Sequence, residues 1–161
     1  MATEAQKKAA ERVYNTLVEH LDKSGLKYTP MTAVQDGDFM LRLEARGDDL
    51  PMTLFVIVEA ARGLFMVKSP EFTKFSADQI DVAAKAVCAI NWAIANGCYS
   101  LNLETGAIMW TACNSFLGSL MGEEAIHYML GVSMSTVDRF NDKFMLLKMG
   151  AIDLDTFLQQ I

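Results

Sequence analysis

The run Thr53 to Ala61, TLFVIVEAA, restricts the possible folds of this chain more than any other segment. As an extended strand it carries apolar side chains on both sides. Leu54, Val56 and Val58 fall on one face, Phe55 and Ile57 on the other. A sheet with one face in water needs only one apolar face. Phe55 and Ile57 therefore require cover, either from a second layer of the chain or from another molecule. The segment before this run alternates cleanly, with Phe39, Leu41, Leu43 and Ala45 set against Met40, Arg42, Glu44 and Arg46. Gly47-Asp48-Asp49-Leu50-Pro51 turns the chain between the two strands. Arg62-Gly63 supplies a tight hairpin turn into a third. There Phe65 and Val67 share one face, while Leu64 and Met66 share the other with Lys68.

Helical patterns surround this group of strands. Thr3 and Gln6 form a capping box that opens a helix to about Ser24, where Gly25 stops it. Its apolar stripe is Ala10, Val13, Leu17 and Leu21. Leu26 to Val34 is extended, is broken by Pro30 and has room for a short edge strand. A loop with Phe72 and Phe75 leads from the third strand to Ser76, which with Gln79 forms a second capping box. From there Ile80, Ala83, Val87, Ile90 and Ile94 define a stripe, widened by Ala84, Cys88, Asn91 and Ala95. No charge follows Lys85 until Glu104, and Asn96-Gly97 supplies a left-handed stop. This pattern predicts a central helix packed across the sheet.

A hairpin follows it. Pairing Leu103 with Ile108, Leu101 with Trp110 and Tyr99 with Ala112 gathers the large apolar groups on one face, and it sets Cys98 opposite Cys113. The facing thiols are read as small core residues rather than a disulfide. After a connection from Asn114 to Met121, Ile126, Leu130, Met134, Val137, Phe140, Phe144 and Leu147 keep one phase. They predict one long helix from about Gly122 to Met149, kinked where Gly131 and Ser135-Thr136 weaken it, or else two abutting helices, with a short terminal turn after Asp153. The order is α-β-β-β-α-β-β-α: an α+β fold with a single antiparallel-rich sheet, in one domain from 1 to 161.

A net charge of −6, with no run of Lys and Arg, argues against a nucleic-acid partner. Ala86 to Leu103 is free of charge, but Asn91, Asn96, Gly97, Ser100 and Asn102 interrupt it, so it reads as core and not as a membrane span. The N-terminal MATEAQKKAAERV lacks the apolar stretch of a signal peptide. Three cysteines without CxxC spacing suit a reducing cytoplasm. His20 and His127 lack the further ligands of a metal site and read as helix-surface residues. Cys88 is placed inside an apolar helix, where burial makes a thiol inert. Neither GxSxG, GxGxxG nor GxxxxGK[ST] occurs, and the acidic turns at 36–38 and 47–49 lack EF-hand spacing. No cofactor is expected. Of eleven methionines most are assigned to the core. Met40 and Met66, on outer sheet faces, are reserved with Phe55 and Ile57 for a protein contact surface.

The element order, together with AINWAIANGCYSLNLETGAIMW, resembles the YbjN family, whose fold is similar to type III secretion chaperones. Asn91, Gly97, Glu104 and Gly106 carry the likeness, and VDRFNDKF, with Asp138, resembles that family's late helix. The resemblance implies a noncatalytic protein-binding module with a regulatory or chaperone-like role, homodimeric and holding an unidentified protein client. The competing expectation is a small-molecule binder or enzyme whose pocket would bring together Tyr99, Trp110 and one of the histidines between sheet and helices.

Overall fold

In the computed structural model, which describes residues 1–32, 35–48, 50–119 and 121–161, the chain is α+β with a single antiparallel sheet. The elements are α1 (Glu4–Ser24), β1 (Lys27–Met31), β2 (Phe39–Arg46), β3 (Pro51–Glu59), β4 (Leu64–Lys68) and β5 (Thr73–Lys74). They continue with α2 (Ile80–Ala93), β6 (Cys98–Leu101), β7 (Ala107–Ser115), α3 (Glu123–Lys148) and α4 (Leu154–Leu158). The expected order is present. To it are added β1, in the stretch with room for an edge strand, and β5, a two-residue strand that sequence alternation could not mark. Val34, at the end of the first stretch, and Asp49, within the first turn, lie outside the described residues.

The strands pair in the order β1-β2-β3-β4-β7, with β5 beyond β4 along the same side of β7 and β6 on its other side. One face carries the core. Leu41, Leu43, Leu54, Val56, Phe65, Val67, Ile108 and Trp110 are fully buried there against Leu17 and Leu21 of α1 and Ile126, Phe140 and Phe144 of α3. Both capping boxes form: Thr3 with Gln6 opens α1, and Ser76 with Gln79 opens the 3-10 turn before α2. The second is also a tether, since Gln79 Nε2 donates to the Lys148 carbonyl at the end of α3 (2.8 Å).

The helix that crosses the sheet is α3, which meets β3, β4, β5 and β7; α2 lies beside β6 and α4. The expectation of a central helix after Ser76 is thus corrected: the longer helix takes the middle of the sheet, because its stripe persists over 26 residues against the 14 of α2. Helix α2 also ends at Ala93, before Asn96-Gly97. Asn91 explains the early exit. Its Oδ1 accepts the Tyr99 N–H (2.8 Å) and its Nδ2 donates to the Tyr99 carbonyl (2.9 Å), which draws β6 back alongside the helix. Gly97, at φ +76°, makes the return, and a Cβ there would overlap the Trp110 ring.

The hairpin register is shifted by two residues from the expected one: Leu101 faces Ile108, Tyr99 faces Trp110 and Cys98 faces Thr111. A two-residue shift keeps every side chain on its face, so the hydrophobic pattern cannot distinguish the two registers. The turn decides. Asn102 Oδ1 accepts the N–H groups of Glu104 (2.9 Å) and Thr105 (3.1 Å), and Gly106 N–H donates to the Asn102 carbonyl (2.8 Å). This loop removes Leu103 from the strand and leaves it 68% exposed. Cys98 is consequently not opposite Cys113, and both are exposed rather than core.

Asp138 of α3 secures the β2–β3 turn by accepting the Asp48 N–H on both carboxylate oxygens (3.1 Å each), at a point where a Cβ on Gly47 would collide with it. The Asn91 clamp performs a comparable service at the sheet edge. Losing it would strand the backbone groups of buried Tyr99 at a cost of about 2 kcal/mol. Asn91→Leu is therefore expected to lower the urea midpoint without changing the slope, and to speed aggregation through the freed edge of β6. An unchanged midpoint would show that the clamp carries no stability.

Candidate interaction surfaces

The β3 side chains that the core does not use line up with partners on neighbouring strands. Across the sheet, Met31, Met40, Ile57, Met66 and Cys113 stand side by side in one row from β1 to β7. The adjacent row holds Thr29, Arg42, Phe55, Lys68, Thr111 and Cys98. None of these side chains belongs to the hydrophobic cluster that the helices form with the opposite face. The helices gather on that opposite side because its strand residues are almost all apolar, Thr73 and Asn114 excepted, whereas this row is bordered by charge.

The four residues expected at a contact surface, Phe55, Ile57, Met40 and Met66, therefore share one face. Phe55, Ile57 and Met40 are half-buried. Met66 differs: it is 7% exposed, flanked directly by Ile57 and Cys113, and forms the floor of the row rather than a projecting contact. Met40, Ile57 and Met66 underlie a shallow depression of ≈ 320 Å³ whose rim includes Glu59, Arg62 and Lys68. Arg62 Nε donates to Glu59 Oε1 (2.6 Å), and this bond holds the Glu59 carboxyl below the usual carboxylate range. Arg42 pairs with Glu44 (2.9 Å). The remaining cations on this face, Lys27, Arg46 and Lys68, have no carboxylate within ion-pair distance among the described residues.

A second exposed apolar surface lies on α2. Cys88, expected to be buried and inert, is exposed, as are Ala93 and Ala95, and Trp92 is 92% exposed. The widened apolar stripe of this helix thus faces outward in part, because α2 sits at the margin of the sheet. Asn96 Nδ2 donates to the hydroxyl of Tyr128, which brings a second half-exposed aromatic beside it.

The histidines meet, although on the sequence they had no link. His20 is buried at 7% exposure rather than on the helix surface, because α3 packs over it. Its Nδ1 lies 3.4 Å from Glu123 Oε1, and its ring stands edge-on to His127 with centroids 5.2 Å apart. Hydrogen bonds from Lys23 and His20 hold the Glu123 carboxyl below its ordinary range. Among the described residues no group of three or more His, Cys, Asp or Glu is placed to hold a metal ion. Tyr99 and Trp110 do not open onto a cavity with them; they are 2% and 0% exposed in the aromatic core, and the Tyr99 hydroxyl donates to the Thr136 carbonyl (3.0 Å). No described helix is long and apolar enough to cross a membrane.

A scan against protein-family models matches none of them to this chain, and a search of the curated proteins finds no match. Sequence reasoning missed Met31, Lys27 and Cys113 as parts of the helix-free face, whereas alternation already sets Arg46 with Met40 and Lys68 with Met66. The signal that would have found them is strand register, which sequence alternation alone does not supply.

Although the Cys113 side chain is exposed, partial desolvation beside Met66 pushes its thiol pKa up. The neutral thiol is the favoured form in the fold, so this contribution to stability is present at neutral pH and is lost as pH rises through the folded pKa. In a Cys88→Ser/Cys98→Ser background, iodoacetamide is expected to modify Cys113 more slowly at pH 8 in the native protein than in urea. Equal rates would mean that the row does not shield it.

Proposed function

We propose that this chain is a noncatalytic protein–protein interaction module with a regulatory or chaperone-like role, acting as a homodimer, and that its helix-free sheet face holds the partner protein. One observation carries the reading: five strands contribute a continuous row, Met31–Met40–Ile57–Met66–Cys113, on a face that the helices leave uncovered. Methionine side chains are flexible and polarisable, which suits a surface that must adapt to another chain. The element order and the Asn91–Gly106 segment support the same reading through their resemblance to the YbjN family.

The same surface suits a partner segment better than a second copy. A stable interface buries about 800 Å² per partner, whereas the apolar row is one residue deep. We put the second copy at α2, where Cys88, Trp92 and Ala93, with Ala95 just past the helix end, form an exposed apolar patch beside Lys85. Small residues allow close helix approach, and a tryptophan of this exposure is the kind of side chain that dominates binding energy once buried.

Ile57→Glu is expected to abolish partner binding while the circular dichroism spectrum stays native, because Ile57 is outside the core cluster. If Ile57→Glu and Phe55→Glu both unfold the protein, these residues are core and the contact surface is lost as an idea. For the dimer, sedimentation equilibrium should show a wild-type dimer that Trp92→Ser converts to monomer, and a bismaleimide should cross-link Cys88 to Cys88. A monomeric wild type, or a dimer indifferent to Trp92, would remove the helix-face assignment.

A further inference from the structure

We infer that the helix-free face receives a linear, acidic segment of a partner protein, laid across the strands with apolar side chains on the Met40–Ile57–Met66 row and carboxylates against Lys68 and, further along the strands, Lys27 and Arg46. This rests on reading that face as the contact surface and adds the chemistry of what occupies it.

Charge is the first argument. The chain as a whole carries −6, yet the strand residues of this face reverse that sign. Lys27, Arg42, Arg46 and Lys68 project from it against Glu44 and Glu59. Those two carboxylates are ion-paired with Arg42 and Arg62. Lys27, Arg46 and Lys68 have no carboxylate within 4.0 Å among the described residues, although Glu44 stands opposite Lys27 and Asp38 and Glu59 share the depression with Lys68. Lys68 stands beside Phe55 in the row next to the methionines, so it reaches the depression that Met40, Ile57 and Met66 floor. An occupant carrying apolar side chains and carboxylates satisfies both rows at once. It also adds long-range attraction that a neutral segment would lack.

Shape is the second. Five strands at about 4.8 Å spacing make the row roughly 19 Å long, and the distance between alternate residues makes it about 7 Å deep. Those are the dimensions of about six extended residues or about thirteen helical ones. They do not match a broad protein face. A lipid surface is disfavoured because Met66 is 7% exposed and Met40 and Ile57 are half-buried, so the only exposed members of the row are Met31 and Cys113 at its two ends.

The experiment is a selection of displayed random peptides of about twelve residues, a length that spans the row. It is run against the wild-type chain and, in parallel, against Lys27→Glu/Arg46→Glu/Lys68→Glu, each after counterselection on Ile57→Glu. Circular dichroism checks the variants, and Lys68→Glu alone replaces the triple variant if that does not fold. The expected result is that wild-type peptides carry Asp and Glu in excess over Lys and Arg beside Leu, Ile or Phe, and that the excess inverts for the charge-reversed variant. The best acidic peptide should bind at least about tenfold more weakly on Lys68→Glu, and on raising salt from about 50 to about 500 mM.

Neutral or basic peptides from the wild type, or a peptide charge unmoved by the reversal, overturn the acidic partner while leaving the contact surface standing, since those peptides still discriminate Ile57→Glu. A wild type from which no peptide discriminates Ile57→Glu overturns both. A dimer that Lys68→Glu dissociates would put a second copy on the face and overturns the proposal. Phosphatidylserine vesicles bound by the wild type, released by Lys68→Glu and accompanied by no acidic peptide, would assign the face to lipid and overturn it as well.

Discussion

The burial of one sheet face by all the long helices is the constraint on which the rest of this structure depends. Helices α1 and α3 need a broad apolar surface, and the side of the sheet bearing Leu41, Leu43, Leu54, Val56, Phe65 and Val67 provides it. Alternation then forces the other side chains of the same strands outward. In β2 those are mostly charged, as a wet face requires. In β3 and β4 they are Phe55, Ile57 and Met66, which water does not favour. The chain tolerates them by crowding them together. Met66 is covered by its own neighbours, and an ion pair between Glu59 and Arg62 closes one side of the row. What is left is a narrow apolar strip with cations along it, a surface whose character follows from which face the helices occupy.

Several polar side chains do structural work that their positions in the sequence conceal. Asn91 satisfies both backbone groups of Tyr99 at the edge of the sheet, Asp138 receives the turn between β2 and β3, and Gln79 ties the start of α2 to the end of α3. Gly97 and Gly106 stand at positive φ, where a side chain would meet the Trp110 ring or the Phe75 backbone. Asn91, Gly97, Gly106 and Asp138 each have a structural reason here. The proposed partner surface draws on none of them.

The limits of sequence reading are instructive because they have distinct physical causes. The boundaries of α1 were legible because a capping box at Thr3 and a glycine at position 25 mark both ends locally. The α3 stripe was legible because 26 residues in one phase outweigh Gly131. The hairpin register was not, since pairings two residues apart bury identical faces and the choice rests on an Asn102 side-chain bond within the turn. The placement of Cys88 and Trp92 failed for another reason. Apolar periodicity shows that a helix has an apolar surface; it does not show whether the helix lies over the middle of a sheet or at its margin. Met40, Ile57, Phe55 and Met66 were assigned to one face by alternation alone. Their alignment with Met31 and Cys113 required strand order.

By itself, the sequence determined the element types, the α+β class and the fact that the strand of Phe55 and Ile57 has two apolar faces, because these follow from short-range periodicity, caps and turn residues. The tertiary structure alone decided which face the helices cover, which helix takes the centre, and which residues from distant strands stand in one row. Those depend on pairings between segments far apart in the chain, where a hydrophobic pattern permits several solutions and packing with hydrogen bonding selects one.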